Sequence, residues 1–217
     1  MAFIEGYTYF IVLSWVVSLF VYKKNFPLYL KLLSPFLLLA AVTEVYANYL
    51  YSIGHNNNVI YNFFSAFEFC FYLLLIHLVI KDPRIKKLIL LCIYLYGFLA
   101  VLNILFIQGI HTFHSATYSA GCLLLVMFCI YYFYELFKMP ESGKLEYNPA
   151  FWICTGLLFF YCCSFPLYAV VNLWGRKWDL MLNSFIMIMT ILNIFLYSLF
   201  SIAFLCTKTR KYTLLSS

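Results

Sequence analysis

Apolar residues run along this chain in seven long blocks, each near the roughly 20 residues a helix needs to cross the hydrocarbon layer. By position the blocks are 3–22, 28–52, 59–80, 88–108, 115–137, 150–172 and 181–206. The stretches between them are too short for a soluble domain. None of the blocks shows the period-two alternation that a membrane β-barrel requires. The pattern therefore predicts one all-α integral membrane domain over residues 1–217, a bundle of seven transmembrane helices.

Composition narrows the function classes. The chain is 65% apolar, 22% aromatic and 10% charged, against about 25% charged in an ordinary soluble domain. A chain of 217 residues cannot hide so much apolar surface in one water-soluble core. A soluble enzyme, a disordered tail and a nucleic-acid-binding module are excluded. All eight cysteines fall inside apolar runs, with no CxxC pair and no zinc-type Cys/His spacing, so they read as small buried apolar side chains. Met1–Tyr7 has no basic stretch ahead of its apolar run, which reads as a first span and not as a cleaved signal.

Charge supplies the orientation. Lys23, Lys24 and Lys31, then Lys81, Arg84, Lys86 and Lys87, then Lys138 and Lys144, and finally Lys208, Arg210 and Lys211 all fall on one side of a seven-span chain. Only Arg176 and Lys177 fall on the other. The positive-inside bias then predicts the N-terminus outside and the C-terminus in the cytoplasm. Topology accounts for these basic residues, so they predict no nucleic-acid partner.

Seven spans in that orientation permit two parallel three-helix units joined by a linker helix. The first and fifth helices both end in a basic turn closed by proline, Lys23-Lys24-Asn25-Phe26-Pro27 and Lys138-Met139-Pro140. The second and sixth read as entered through Ser34-Pro35 and Asn148-Pro149. The third and seventh share Glu68-Phe69-Cys70-Phe71-Tyr72 against Asn193-Ile194-Phe195-Leu196-Tyr197. This 3+1+3 order resembles SWEET-type transporters in topology only; their Pro-Gln signature is missing, so no substrate follows. Retinal proteins are excluded because the last apolar block has no lysine for a Schiff base. Rhodopsin-like receptors are dismissed for want of Asp-Arg-Tyr and Asn-Pro-x-x-Tyr.

Thr43-Glu44, Tyr61-Asn62, Phe67-Glu68-Phe69, Phe71-Tyr72, Phe151-Trp152, Thr155-Gly156 and Leu192-Asn193-Ile194 together resemble a group of small seven-helix inner-membrane proteins of Bacteroidota-type bacteria. The resemblance covers nearly the whole chain. It implies a fold and a membrane address, and no activity.

Candidate chemistry comes from the polar groups that hydrocarbon makes costly. An acid at mid-bilayer costs about 2.5–3.5 kcal/mol on insertion scales, so it marks a site by default. Glu44 in the second helix and Glu68 in the third stand out, and no lysine or arginine occupies the core of any span. Helical spacing puts Asn48 on the face of Glu44, and Tyr61, Ser65 and Tyr72 on the face of Glu68. On the seventh helix Asn183, Thr190, Asn193, Tyr197 and Ser201 share a stripe. Three stripes turned inward predict a ligand or proton site at Glu44, Asn48, Tyr61, Ser65, Glu68, Tyr72, Thr190, Asn193 and Tyr197; plain interhelical packing is the alternative. Pro166 predicts a kink in the sixth helix. His55, His111 and His114 fall in outer loops, where His111 and His114 make a weak metal or pH-sensing pair, and His77 reads as interfacial.

No Gly-x-Ser-x-Gly elbow, HExxH helix or phosphate loop is present, so no catalytic residue, cofactor or metal is expected. The reading is a non-enzymatic sensor or accessory subunit binding a small ligand, lipid or proton near the two glutamates. Its partners are the bilayer and a membrane or cytoplasmic signalling protein, and a homo-oligomer is compatible with it. The alternative is a proton- or cation-coupled transporter or channel. Alternating access needs hinges in both halves, and only the sixth helix shows a clear internal proline.

Overall fold

The structure, a computed structural model, describes the backbone of residues 2–22, 26–138, 145–174 and 178–215, with side chains over 6–22, 26–138, 145–168 and 183–206. Lys23, Lys24, Lys144, Arg176 and Lys177, and the side chains of Lys208, Arg210 and Lys211, lie outside the described residues, as do Met139 and Pro140. Among the described residues there are seven α-helices and no strand: α1 Ala2–Val21, α2 Leu28–Ser52, α3 Asn58–Val79, α4 Pro83–Leu102, α5 Ser115–Lys138, α6 Pro149–Trp174 and α7 Trp178–Leu215. Six are long and apolar enough to cross a membrane; the described part of α1, Gly6–Val21, is a shorter apolar helix. The protein is a multi-pass helical membrane bundle.

Local chemistry sets the ends. Pro27, in extended geometry, starts α2, and its carbonyl accepts the N–H groups of Leu30 and Lys31. Gly54, at φ 81°, closes α2, and His55 N–H reaches back to the Leu50 carbonyl. α4 begins at Pro83 and not near 88. The Asp82 side chain caps it by accepting from Arg84 N–H, and Pro83 supplies the preset φ of a first helical residue. Arg84, Lys86 and Lys87 are thus helical and not loop residues. α4 runs on into one π-helical turn, Asn103–Ile107, in which Gln108 N–H bonds the Asn103 carbonyl at 2.9 Å. α7 is helical to Leu215, beyond the apolar block that ends at 206. Pro35 corrects the expected entry to the second helix: α2 already starts at Leu28, so this proline sits inside it.

Neighbouring helices form a ring in the order α1, α2, α3, α5, α6, α7 and back to α1, with α4 outside against α3 and α5. Two seams, α3 with α5 and α1 with α7, join the triplets α1–α3 and α5–α7. Ser14 and Ser18 are buried one turn apart on α1, and the Ser18 hydroxyl meets that of Ser34 on α2 at 2.6 Å. Small polar residues of this kind let helices approach closely where no water drives them together.

The α3–α5 seam depends on one glycine. Phe69 is fully buried, its ring 5.0 Å from Tyr118, 5.5 Å from Tyr96 and 5.1 Å from Tyr161. A Cβ on Gly121 would stand 2.7 Å from that ring, closer than any packing tolerates. Gly97 on α4 meets only Cys70 Sγ, at an ordinary 3.6 Å. Gly121→Ala should therefore cost about 1–3 kcal/mol through overpacking. Gly97→Ala should be neutral or gain up to about 1 kcal/mol from helix propensity. Melting curves of both variants in one detergent check this. Equal effects from the two would mean that Phe69 does not lie on Gly121.

Candidate functional site

Glu44 projects from α2 about 12 Å short of the helix end at Ser52, counting 1.5 Å per residue. Two tyrosines meet its carboxyl. Tyr7 on α1 donates to Oε2 at 2.7 Å, and Tyr61 on α3 donates to the same oxygen at 3.0 Å. One carboxyl thus ties three helices together. Glu44 is half-buried, which leaves room at the group.

Glu68 lies two turns further along α3 than Tyr61, also half-buried, at the middle of the helix. It stands within electrostatic range of Glu44 and of Tyr72. Tyr197 on α7 is within range of both acids, and Tyr118, Tyr161 and Tyr168 of α5 and α6 within range of Glu68. Among the described residues no lysine or arginine contributes to the surroundings of either acid. The Tyr72 hydroxyl faces this cluster, within range of Glu68 and Tyr197, yet is fully buried without a hydrogen bond of proper geometry. The result is two carboxyls and a ring of phenols from α1, α2, α3, α5, α6 and α7. Such a group can hold and pass a proton or a small cation.

Of the nine residues expected at the site, Glu44, Tyr61, Glu68, Tyr72 and Tyr197 come together. Three of the other four, Ser65, Thr190 and Asn193, each spend a hydrogen bond elsewhere. The Ser65 hydroxyl turns to the Tyr61 carbonyl at 2.5 Å and to His114 Nε2 at 2.6 Å. Thr190 donates to the Ile186 carbonyl and Asn193 to the Met189 carbonyl, each satisfying a polar side chain within its own helix. Asn48 is half-buried one turn beyond Glu44. Ser201 likewise bonds its own helix at Tyr197. Tyr7, Tyr118, Tyr161 and Tyr168 were not among the expected residues. In a chain with 20 tyrosines, spacing along one helix cannot say which of them face a neighbour's acid.

A second polar cluster sits at the end of the bundle where α3 and α5 begin, and it corrects the reading of the loop histidines. His114 is fully buried. Its Nδ1 meets Thr117 Oγ1 at 2.7 Å, and Thr117 accepts from Asn103 in the π-helical turn. With the Ser65 proton committed to the Tyr61 carbonyl, the neutral imidazole with hydrogen on Nε2 satisfies the whole chain of bonds. Asn62 fastens the loop above, donating to the Ile110 and Thr112 carbonyls and accepting from His114 N–H. His111 is exposed, and its carbonyl takes bonds from Asn56 and Asn58. The two histidines therefore do not converge. Among the described residues no three His, Cys, Asp or Glu side chains could hold a metal ion. All eight cysteines are free thiols, and Cys162 is exposed.

Glu135 was missed because it stands close to the end of its span. It is buried, and its two oxygens accept the backbone N–H groups of Lys81 and Asp82, each at 2.8 Å. The expected interfacial His77 bonds the Lys86 carbonyl at 3.1 Å, between α3 and α4.

The chain matches no protein-family model, no curated protein and no solved structure. Function has to be read from the geometry.

Burial pushes the His114 imidazole down from an ordinary 6.5 to about 4. Between these values the unfolded chain takes up a proton that the folded protein refuses. The contribution of His114 to stability should be complete above about pH 6.5 and fall away as pH drops toward 4. The stability gap between wild type and His114→Gln should shrink over that range. A gap that stays constant from pH 7 to 4 would show an imidazole that titrates normally.

Proposed function

We propose that the protein is a non-enzymatic seven-span protein of a bacterial inner membrane, as its resemblance to the small seven-helix proteins of Bacteroidota-type bacteria implies. It binds a proton, cation or small protonated ligand at Glu44 and Glu68. The observation that carries the reading is the carboxyl of Glu44 held by tyrosines of two other helices, with Glu68 in electrostatic range and, among the described residues, no lysine or arginine beside either. Packing alone needs one acid at most; a second, like-charged acid adds cost. Occupancy that changes the charge on Glu44 changes the bonds joining α1, α2 and α3. Such a movement is what a sensor or accessory subunit passes to a membrane or cytoplasmic partner.

Transport is the second reading, and Pro35 favours it. The middle helix of each triplet carries an internal proline, Pro35 in α2 and Pro166 in α6. Exchanging the two triplets maps one seam of the ring onto the other. On this reading the triplets are parallel repeats with α4 as the linker, and the acids lie between them. The bend points stand at different depths, so the halves would not move identically.

The orientation proposed is N-terminus outside and C-terminus in the cytoplasm, from the basic residues. A fluorescent protein fused to the C-terminus should glow, and a phosphatase fused there should be inactive; the reverse would overturn the orientation.

Vesicles loaded with a pH dye separate the two functional readings. Transport predicts a proton flux about tenfold above protein-free vesicles, lost in Glu68→Gln. Sensing predicts no flux, but a change between pH 5 and 8 in hydrogen-exchange protection at the outer ends of α1, α2 and α3, also lost in Glu68→Gln. A wild type showing neither would remove both readings, provided that the variant melts like the wild type.

A further inference from the structure

On the side opposite His114, a cleft of about 400 Å³ opens between the α3–α4 turn and the last two turns of α5. Its walls are Lys81, Asp82, Pro83 and Arg84 from the turn, and Tyr131, Tyr134, Glu135 and Lys138 from α5. Three cations face two carboxylates, and both carboxylates are already engaged. Glu135 is bound by the two backbone N–H groups described above. Asp82 accepts from Arg84 N–H at 2.8 Å and from the Tyr131 hydroxyl at 3.0 Å. Those two bonds, the Arg84 N–H first, hold the Asp82 carboxyl below its usual range, so it remains an acceptor for them. The Arg84 charge lies within electrostatic range of the Asp82 carboxylate, and three cations against two carboxylates leave the cleft with a net positive charge. Lys138 lies over the Tyr134 ring at 5.6 Å, which places its ammonium at the rim, and Arg84 is exposed beside the first turn of α4.

Position selects the occupant. The cleft sits where α4 begins and α5 ends, at the level of the membrane surface. The helix flanks running from it into the bilayer are exposed and apolar: Leu88 and Leu91 on α4, Ile130 and Phe137 on α5. A ligand that fits both parts carries a negative head and hydrocarbon tails. We propose that this cleft holds the phosphate headgroup of an anionic phospholipid, with Arg84 as a forked donor, Lys138 as a point charge, and the acyl chains along α4 and α5. A lipid bound there would fasten α4 and its turn to α5, at the join between the two triplets. This site is separate from Glu44 and Glu68 and stands whether or not the reading of those acids holds.

The test uses the full-length protein in neutral detergent, with short-chain phosphatidylglycerol, short-chain phosphatidylcholine and inorganic phosphate as probes. Phosphatidylglycerol should raise the melting temperature above phosphatidylcholine at equal concentration, and inorganic phosphate should not reproduce the rise. Native mass spectrometry should show phosphatidylglycerol retention falling about tenfold in Arg84→Gln/Lys138→Gln, as the loss of a charge-assisted contact predicts. Lys31→Gln/Lys87→Gln removes the same charge outside the cleft and should leave retention unchanged. If the first pair does not fold, Lys138→Gln alone, at the exposed end of α5, should still weaken retention. Equal retention of the two lipids, equal loss in both double variants, or a full effect from inorganic phosphate would each overturn the proposal.

Discussion

A carboxyl group inside hydrocarbon has to be met by donors from the protein itself, and that need shapes the half of this bundle where α1 and α3 begin. Glu44 is met by phenol hydroxyls of Tyr7 and Tyr61, one helix away on each side. A phenol donates without bringing a full charge into the bilayer, as a lysine would. The cost of the acid is offset only while α1, α2 and α3 keep their places, so the bond couples a protonation state to a helix arrangement. Glu68, deeper and without such a clamp, makes the pair sensitive to what enters.

The rest of the architecture supports that group from two ends. At the end where α3 and α5 begin, Asn62 and His114 bind the α4–α5 loop to α3, and the network reaches Asn103 in the π-helical turn. At the other end Glu135 binds the α3–α4 turn through two backbone N–H groups. Between them Phe69 seals the α3–α5 seam against Gly121. Helix α4 is thus fastened at both ends, while among the described residues no helix packs across the opposite seam, α1 with α7, as α4 does against α3 and α5.

How much of this was legible in the sequence differs by level. The seven helices were, because burial in lipid imposes long apolar blocks whatever the packing inside. Glu44 and Glu68 were, because a charge within such a block is costly enough to stand out. The start of α4 was missed because the apolar count begins at Leu88, whereas the cap chemistry of Asp82-Pro83 begins the helix a turn and a half earlier. Ser34-Pro35 misled because proline often begins a helix, and here it lies within one. Ser65 and Asn193 share a face with the site, yet a hydroxyl or amide in a helix can spend its bond on its own backbone or on a neighbouring loop. Periodicity cannot choose between those partners. The tyrosine ring around Glu68 was not visible at all, since it draws on helices far apart in sequence.

If the two glutamates form one interacting site and not two separate packing groups, each should feel the other's charge. Infrared difference spectroscopy in light and heavy water resolves buried carboxyl groups, with Glu44→Gln and Glu68→Gln assigning one band to each. The Glu44 band should titrate at a different pH when Glu68 is replaced by glutamine, and the Glu68 band when Glu44 is replaced. Titrations of each band that do not move when the other acid is removed would contradict a single interacting site.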